Sequence, residues 1–247
     1  MAETELAVIV LAAGQGTRMK SALPKVLHAI GNRPMLGHVL AVAKELSASR
    51  MVAVTAPGAD AVAKLAREWD AQAVVQERQL GTGHAVLSAE AALAGFKGNL
   101  LVLFGDAPLL TASTLARLSA RLGNGADITA LGFRAADPTG YGRMIVENGA
   151  LTRIVEHKDA SADERRIDLC FAGMLAGNAA RGFALWHKVE NSNAQGEFYL
   201  TDVIGLARKA GQICAVVEGD ESEMLGVNSR AQLADAEAAF QARRRRA

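Results

Sequence analysis

Only two cysteines occur among 247 residues, and Cys170 and Cys214 stand far apart with no CxxC or Cys/His spacing. That scarcity excludes a disulfide scaffold and a zinc site and leaves two structural free thiols, as expected in a reduced compartment. Charge of one sign is also missing. With 27 Lys and Arg against 26 Asp and Glu, the net charge of +1 creates no global field for nucleic acid or an anionic membrane. No stretch of 18 apolar residues is present, and the opening residues, with Glu3 and Glu5, lack the basic and long apolar regions of a signal peptide. A soluble cytoplasmic protein is the expectation. Internal repeats and low-complexity linkers are absent as well.

Two familiar phosphate motifs are missing too. A GxGxxG fingerprint begun at Gly14 would need its third glycine at Met19, and a Walker A loop would need its Gly-Lys pair to begin at the same position, whereas Lys25 comes much later. Hydride transfer with a nicotinamide cofactor therefore becomes a distant reading, and P-loop chemistry is excluded.

What the chain does have is 50% apolar residues, enough for a substantial core. Short apolar runs at 6–11, 51–55, 73–76 and 100–104 alternate with Ala-rich helical stretches at 35–46, 60–69 and 82–93. This alternation predicts an α/β fold, a mostly parallel sheet with helices on both faces. A helix at 111–122 and a strand at 128–133 follow. Residues 142–147 and 151–156 then read as a hairpin turning at Asn148-Gly149, a pair suited to a type I′ turn. Further elements are expected at 169–176, 181–189, 200–210 and 213–217, with a last helix from Arg230. The expected division is a nucleotide half to about Asp106 and a second-substrate half beyond it.

The first run ends in LAAGQGTRM (residues 11–19), followed by Leu23-Pro24-Lys25-Val26-Leu27. Glycines at the carboxyl end of a buried strand put free backbone amides where open α/β sheets bind ligands. Gly14 and Gly16 allow positive φ and close approach, while Arg18 and Lys25 supply fixed cations. Together they ask for a nucleoside triphosphate rather than an ordinary strand-to-helix turn.

The strand 100–104 delivers Asp106 to the same sheet edge. Alone it reads as a turn or helix-capping residue; beside Arg18 and Lys25 it becomes a candidate Mg²⁺ ligand, a hard oxygen of the kind that ion shares with substrate phosphates. Gln76 and the run Gln79 to His84 offer an amide and bare backbone to a planar base. His84 has no partner nucleophile and reads as a satisfied surface or capping histidine without a catalytic role. The polar stretch 191–197 reads as a plain surface loop, and Arg243 to Arg246 as cations complementing a helix carboxyl end rather than a nucleic-acid site.

In their order, LAAGQGTRM, LPKVLH, QLGTGHA, GDAPL, DPTGYGR, IVEHKDA, NAQGEFYLTD and GVNSR (226–230) make the chain resemble, over nearly its whole length, one family. It is similar to the uridylyltransferase half of the bacterial bifunctional N-acetylglucosamine-1-phosphate uridyltransferase and glucosamine-1-phosphate acetyltransferase. The resemblance implies a Rossmann-like nucleotide-diphospho-sugar transferase fold. It also implies Mg²⁺-dependent formation of UDP-N-acetylglucosamine and pyrophosphate from UTP and N-acetylglucosamine-1-phosphate, for cell-wall and lipopolysaccharide precursors.

By that resemblance Arg18 and Lys25 act on the phosphates, Leu11, Ala12, Ala13 and Gly14 meet the nucleotide through backbone, and Gln76, Gly81 and Thr82 read uracil. Thr82, Phe104, Gly105, Gly142 and Glu156 would contact the sugar, and Asp106 with Asn228 would hold Mg²⁺. It implies a uridylyltransferase domain over 1–228, with its sugar half at about 107–228, and a linker helix at 229–247. The hexapeptide repeats of the acetyltransferase part, which bring trimer contacts, are not in the sequence.

One departure bears on the sugar. Phe171-Ala172-Gly173 stands where the family usually places an Asn before a small residue and Gly, and Phe104 stands where relatives often have Tyr. A nucleotidyltransferase for another sugar-1-phosphate, or a non-catalytic module that binds a UDP-sugar, are the rival expectations.

Overall fold

A computed structural model describes residues 4–246, without the side chain of Arg246; Glu3 and Ala247 lie outside the described residues. The first strand, β1 (Leu6–Ala12), shows why the sheet forms where it does. Its side chains alternate between two apolar layers, Ala7, Ile9 and Leu11 on one face and Val8, Val10 and Ala12 on the other. A strand apolar on both faces belongs at the centre of a covered sheet. Val8, Ile9 and Val10 are fully buried, each worth about 1.5–3 kcal/mol of hydrophobic stabilisation.

Two-residue strands β2 (Ala29–Ile30) and β3 (Arg33–Pro34) form a small separate pair, then α1 (Met35–Glu45) leads to β4 (Arg50–Thr55), α2 (Asp60–Glu68) and β5 (Gln72–Val75). Helix α3 (Thr82–Ser88) precedes β6 (Asn99–Phe104), α4 (Ala112–Gly123) and β7 (Ile128–Arg134). A hairpin of β8 (Arg143–Glu147) and β9 (Ala150–Val155) comes next, then β10 (Leu169–Asn178), α5 (Ala179–Trp186), α6 (Asp202–Lys209), β11 (Cys214–Glu218) and α7 (Arg230–Arg246).

The main sheet runs in the order β11-β7-β10-β6-β1-β4-β5. Strands β6, β1, β4 and β5 are parallel, with Ile9 opposite Val52 on one side and Val102 on the other. The α/β reading is borne out. Strand β10 runs antiparallel between β6 and β7, while β11 is parallel to β7, so the sheet is mixed in its second half.

The chain builds outward from β1 through β4 to β5, then crosses back to place β6 on the other side of β1. That reversal is a topological switch point, and it opens a crevice beyond the carboxyl ends of β1 and β6. Both ends carry the residues singled out from the sequence.

Smaller differences have local causes. The helix expected over 82–93 stops at Ser88, where Ala89 N bonds Val86 O at 3.0 Å and the chain tightens before a 3₁₀ turn at Ala91–Leu93. The hairpin turns at Asn148 (φ 51°) and Gly149 (φ 77°), both left-handed as a type I′ turn requires. Helix α7 folds back on the β2–β3 corner, where Phe240 lies against Gly31 and meets the His38 ring edge-on at 5.2 Å. Arg243 donates to Leu109 O at 2.7 Å and Arg244 stacks over Phe240, so these two members of the arginine run serve the helix's own docking. Among the described residues no helix is long and apolar enough to cross a membrane.

Candidate active site

The crevice is a cleft of about 450 Å³. Its floor at the switch point is Leu11 to Gly14, and on the neighbouring strand end stands Asp106. Gly105 N donates to Leu11 O at 3.0 Å, which ties the two strand ends together beyond the last ladder bond. Gly105 itself is packed behind this bond rather than lining the cleft, and a Cβ there would come within 3.2 Å of Leu11 O. Expected as a sugar contact, it does not line the cleft and ties the two strand ends together.

The glycine loop also differs from expectation. Gly14 has open space around it and no positive φ, whereas Gly16 sits at φ +60°, where a Cβ would fall 2.6 Å from Lys25 Cβ. Gly16 is thus required by the approach of Lys25. Arg18, expected beside it as a phosphate cation, lies exposed on the 3₁₀ turn Thr17–Met19 and does not line the cleft. Arg230 of α7 holds this turn by donating to Met19 O at 3.0 Å and Lys20 O at 3.3 Å.

Lys25 points into the cleft. Its ammonium is ion-paired with Asp106 and donates to Asn228 Oδ1 at 2.9 Å. The side chains of Lys25 and Asp106 are 12% and 15% exposed, so the pair is shielded yet reachable. Asn228 arrives because Val227 N donates to Asp106 O at 2.9 Å and Asn228 N to Gln232 Oε1 at 2.8 Å. Asp106 caps no helix: Thr111 is the residue whose hydroxyl accepts from Thr114 N at the start of α4.

At the other end, Gln76 is 3% exposed and lines the cleft, with Nε2 donating to Gly81 O at 3.0 Å and lying 3.1 Å from His84 Nδ1. Gly81 and Thr82 open α3 against the stretch 198–200. Phe198 N donates to Leu80 O, Gly83 N to Phe198 O and Leu200 N to Thr82 Oγ1, all within 2.8–2.9 Å. Gly81 has φ +113°, and a Cβ on it would meet Phe198 O at 2.6 Å. The polar stretch 191–197 is therefore no plain surface loop, because this docking brings Gln195 and Glu197 to the cleft wall.

The second wall comes from the hairpin lobe. Gly142 and Glu156 both line the cleft, and a Cβ at Gly142 would lie 3.6 Å from the Glu156 carboxylate. Thr201 Oγ1 donates to Glu156 Oε1 at 2.9 Å, while burial, reinforced by Asp202, Asp159 and Glu197, raises the Glu156 pKa above its ordinary value. Phe171 lines the same region; its N donates to Gly142 O at 2.8 Å, just before the irregularity that separates it from Leu175 in β10. Phe104 lies across Gly173, whose φ is +92° and whose absent Cβ would be 2.3 Å from the ring. Two phenylalanines thus make one apolar wall.

Sequence reasoning missed Arg143, the largest fully buried side chain, only 1% exposed. Its guanidinium donates to Tyr141 O and to Arg165 O (3.3 Å), and lies 3.3 Å from His157 Nδ1, so it braces the loop of Tyr141 and Gly142 against the residue after Glu156. An arginine in a glycine-rich stretch reads as a surface cation, and nothing in its spacing signals burial.

Residues 8–167 match the model of the MobA-like NTP transferase domain. The chain belongs to this family. It is 50% identical over 240 residues to the bifunctional protein GlmU of Nitrobacter hamburgensis, a match covering 96% of this chain and 53% of that protein. It is 53% identical over 241 residues to the bifunctional protein GlmU of Parvibaculum lavamentivorans, covering 97% and 53%. The resemblance read from the sequence is borne out, and the chain spans about half the length of the curated relatives it matches. Its fold is shared with the inositol-1-phosphate CTP transferase from T. maritima (TM-score 0.74, 17% identity, 98% and 97% of the two chains). A UDP-glucose pyrophosphorylase complexed with UDP-glucose matches equally (TM-score 0.74, 18% identity, 97% and 99%). The Rossmann-like nucleotidyltransferase fold is therefore that of this chain.

Proposed function

We propose that this NTP transferase domain joins UTP to N-acetylglucosamine-1-phosphate, giving UDP-N-acetylglucosamine and pyrophosphate. The observation that carries the reading is the convergence of Lys25, Asp106 and Asn228 at the switch point, with the buried amide of Gln76 lining the same cleft. This is a charge cluster for phosphates combined with a polar group for a base. The GlmU relatives, of whose length this chain spans about half, support the sugar nucleotide product. In this reading the segment up to about Asp106 serves the nucleotide, residues 107–228 serve the sugar, and the protein works in the cytoplasm, where UTP is available.

A phosphate oxygen of the sugar phosphate attacks the α-phosphorus of UTP in line, and pyrophosphate departs. The attacking phosphate is already ionised, so no general base is required. Positioning and charge do the catalysis. The backbone of Leu11 to Gly14 lies along the triphosphate, Lys25 gives a fixed positive charge, and Arg18, outside the cleft on its exposed turn, would have to swing toward the phosphates to add a second. Gln76, Gly81 and Thr82 hold uracil, while Gly142 and Glu156 receive the sugar hydroxyls, and Thr82 and Phe104 flank them.

Asp106 and Asn228 fit a divalent cation. Their carboxylate and amide oxygens are hard donors, and both already converge on one cation, the Lys25 ammonium. Mg²⁺ held by these two would complete its shell with water and substrate phosphate. When bound, the ion supplies positive charge that lowers repulsion between the two phosphates.

The apolar wall of Phe104 and Phe171 favours keeping a second reading in view, a nucleotidyltransferase for a different sugar-1-phosphate. Pyrophosphate release from UTP and Mg²⁺ with N-acetylglucosamine-1-phosphate, glucosamine-1-phosphate and glucose-1-phosphate, each alone, separates the two. Release that depends on the N-acetyl sugar supports the first reading. Release only with another sugar supports the second, and silence with all three leaves a binding module.

A further inference from the structure

A primary carboxamide has two N–H donors and one carbonyl acceptor. In Gln76 both donors are engaged inside the protein, one with Gly81 O at 3.0 Å and one with His84 Nδ1 at 3.1 Å. Gln76 N is itself fixed to Thr55 O at 2.9 Å, so the side chain springs from an anchored point at the end of β5. The group left over is Oε1, an acceptor, on a residue that is 3% exposed and lines the cleft.

We propose that His84 is a positioning residue for base specificity: its Nδ1, as an acceptor, locks the Gln76 amide so that only Oε1 faces the base, selecting uracil over cytosine. The proposal rests on the reading of Gln76 as the base-facing group. Uracil presents N3–H, a donor that meets Oε1, whereas cytosine presents the N3 lone pair, and two facing acceptors leave both groups unpaired. Gly81 O alone secures one of the two N–H groups. Without a second acceptor the amide is free to turn its other N–H toward the cleft and receive cytosine.

The surroundings of His84 keep Nδ1 available. Burial and the nearby Arg78 guanidinium lower its pKa, so the ring is neutral near pH 7, and an acceptor at Nδ1 places its hydrogen on Nε2. The Phe198 ring, 6.4 Å away and tilted by 38°, offers the imidazole no competing hydrogen bond. His84 needs no catalytic partner for this role, in keeping with the lack of one in the sequence.

The test uses the whole chain with His84→Leu, which removes the acceptor, and His84→Asn, whose carbonyl oxygen replaces Nδ1. Equilibrium binding of UTP and CTP is measured by calorimetry without any sugar, and kcat and KM are measured with each nucleotide. The wild type should prefer UTP. His84→Leu should reduce the UTP/CTP preference roughly tenfold, the scale of one hydrogen bond, by raising KM for UTP more than it lowers kcat, and His84→Asn should restore most of it. Equal binding of UTP and CTP by the wild type, an unchanged preference in folded His84→Leu, or equal losses for both nucleotides would overturn the proposal. If His84→Leu does not fold, ¹⁵N NMR of the wild-type histidines decides, because a hydrogen on Nδ1 of His84 contradicts it and a hydrogen on Nε2 supports it. Binding that discriminates without any pyrophosphate release would leave the proposal standing and sink the transfer reading instead.

Discussion

Lys25 Nζ donates to Asn228 Oδ1 at 2.9 Å across 203 positions of sequence, and the same ammonium is ion-paired with Asp106. One cation thus gathers two acceptor oxygens from distant segments at the carboxyl ends of adjacent strands. An ion pair this shielded adds little to stability once desolvation is counted, so its placement is better explained by function.

Replacing Asp106 or Lys25 by Ala leaves the remaining charge unpaired in a shielded site and should cost some stability, yet the protein should stay folded while turnover falls on the order of 10²–10³-fold, the usual cost of one charge contact to a transition state. Circular dichroism checks the fold and pyrophosphate release checks the rate. Turnover at the wild-type level in either variant would remove that residue from the mechanism.

Gly16→Ala and Gly14→Ala should behave differently, although the two glycines look equivalent in sequence. At Gly16 the new methyl would meet Lys25 Cβ at 2.6 Å on a left-handed backbone, which should cost more than about 1 kcal/mol and displace Lys25. At Gly14 the methyl enters open space, so urea unfolding should change little while nucleotide affinity falls if a ligand presses there. Equal stability of the two variants would contradict this distinction.

The contrast between these glycines marks what the sequence could reveal. Apolar runs such as 6–11 and 100–104 fix strands, strands fix where their carboxyl ends fall, and so Leu11 to Gly14 and Asp106 were legible together. Asn228 was not, since one Asn in a polar turn has no local signature; the bond from Val227 N to Asp106 O that brings it home is a tertiary event, and only family resemblance named it. Loop 191–197 was misread for the same reason, because its position depends on Phe198 docking against Gly81 and Gly83. Arg143 was invisible, a charged residue whose burial depends on the carbonyls of Tyr141 and Arg165 and the ring of His157.

Glu156 gives a prediction in pH. Its folded pKa is raised above the ordinary 4.5 by burial, so the folded state binds this proton more tightly than the unfolded chain does. The resulting stability is fully present below pH 4.5 and is lost as pH rises through the folded pKa. Glu156→Gln, which cannot ionise, should gain stability relative to the wild type between pH 4 and pH 7, read from urea midpoints at both. A difference that does not change with pH would contradict the raised pKa.

Cys170 and Cys214 are both buried and free, with their thiols pushed up to about 11 by burial. Since the thiolate is the reactive form, neither should react with a thiol reagent at pH 8 in the folded protein, and both should react once urea unfolds it. Rapid labelling of either in the native state would place it at an exposed or electropositive position instead.

The central claim is attack by a sugar phosphate oxygen on the α-phosphorus of UTP with departure of pyrophosphate, and isotope labelling tests it most directly. UTP and Mg²⁺ are incubated with N-acetylglucosamine-1-phosphate carrying ¹⁸O in its phosphate, and both products are weighed by mass spectrometry. The account predicts UDP-N-acetylglucosamine that retains all of the label, with unlabelled pyrophosphate. Label in the pyrophosphate, or no UDP-sugar at all, would contradict it.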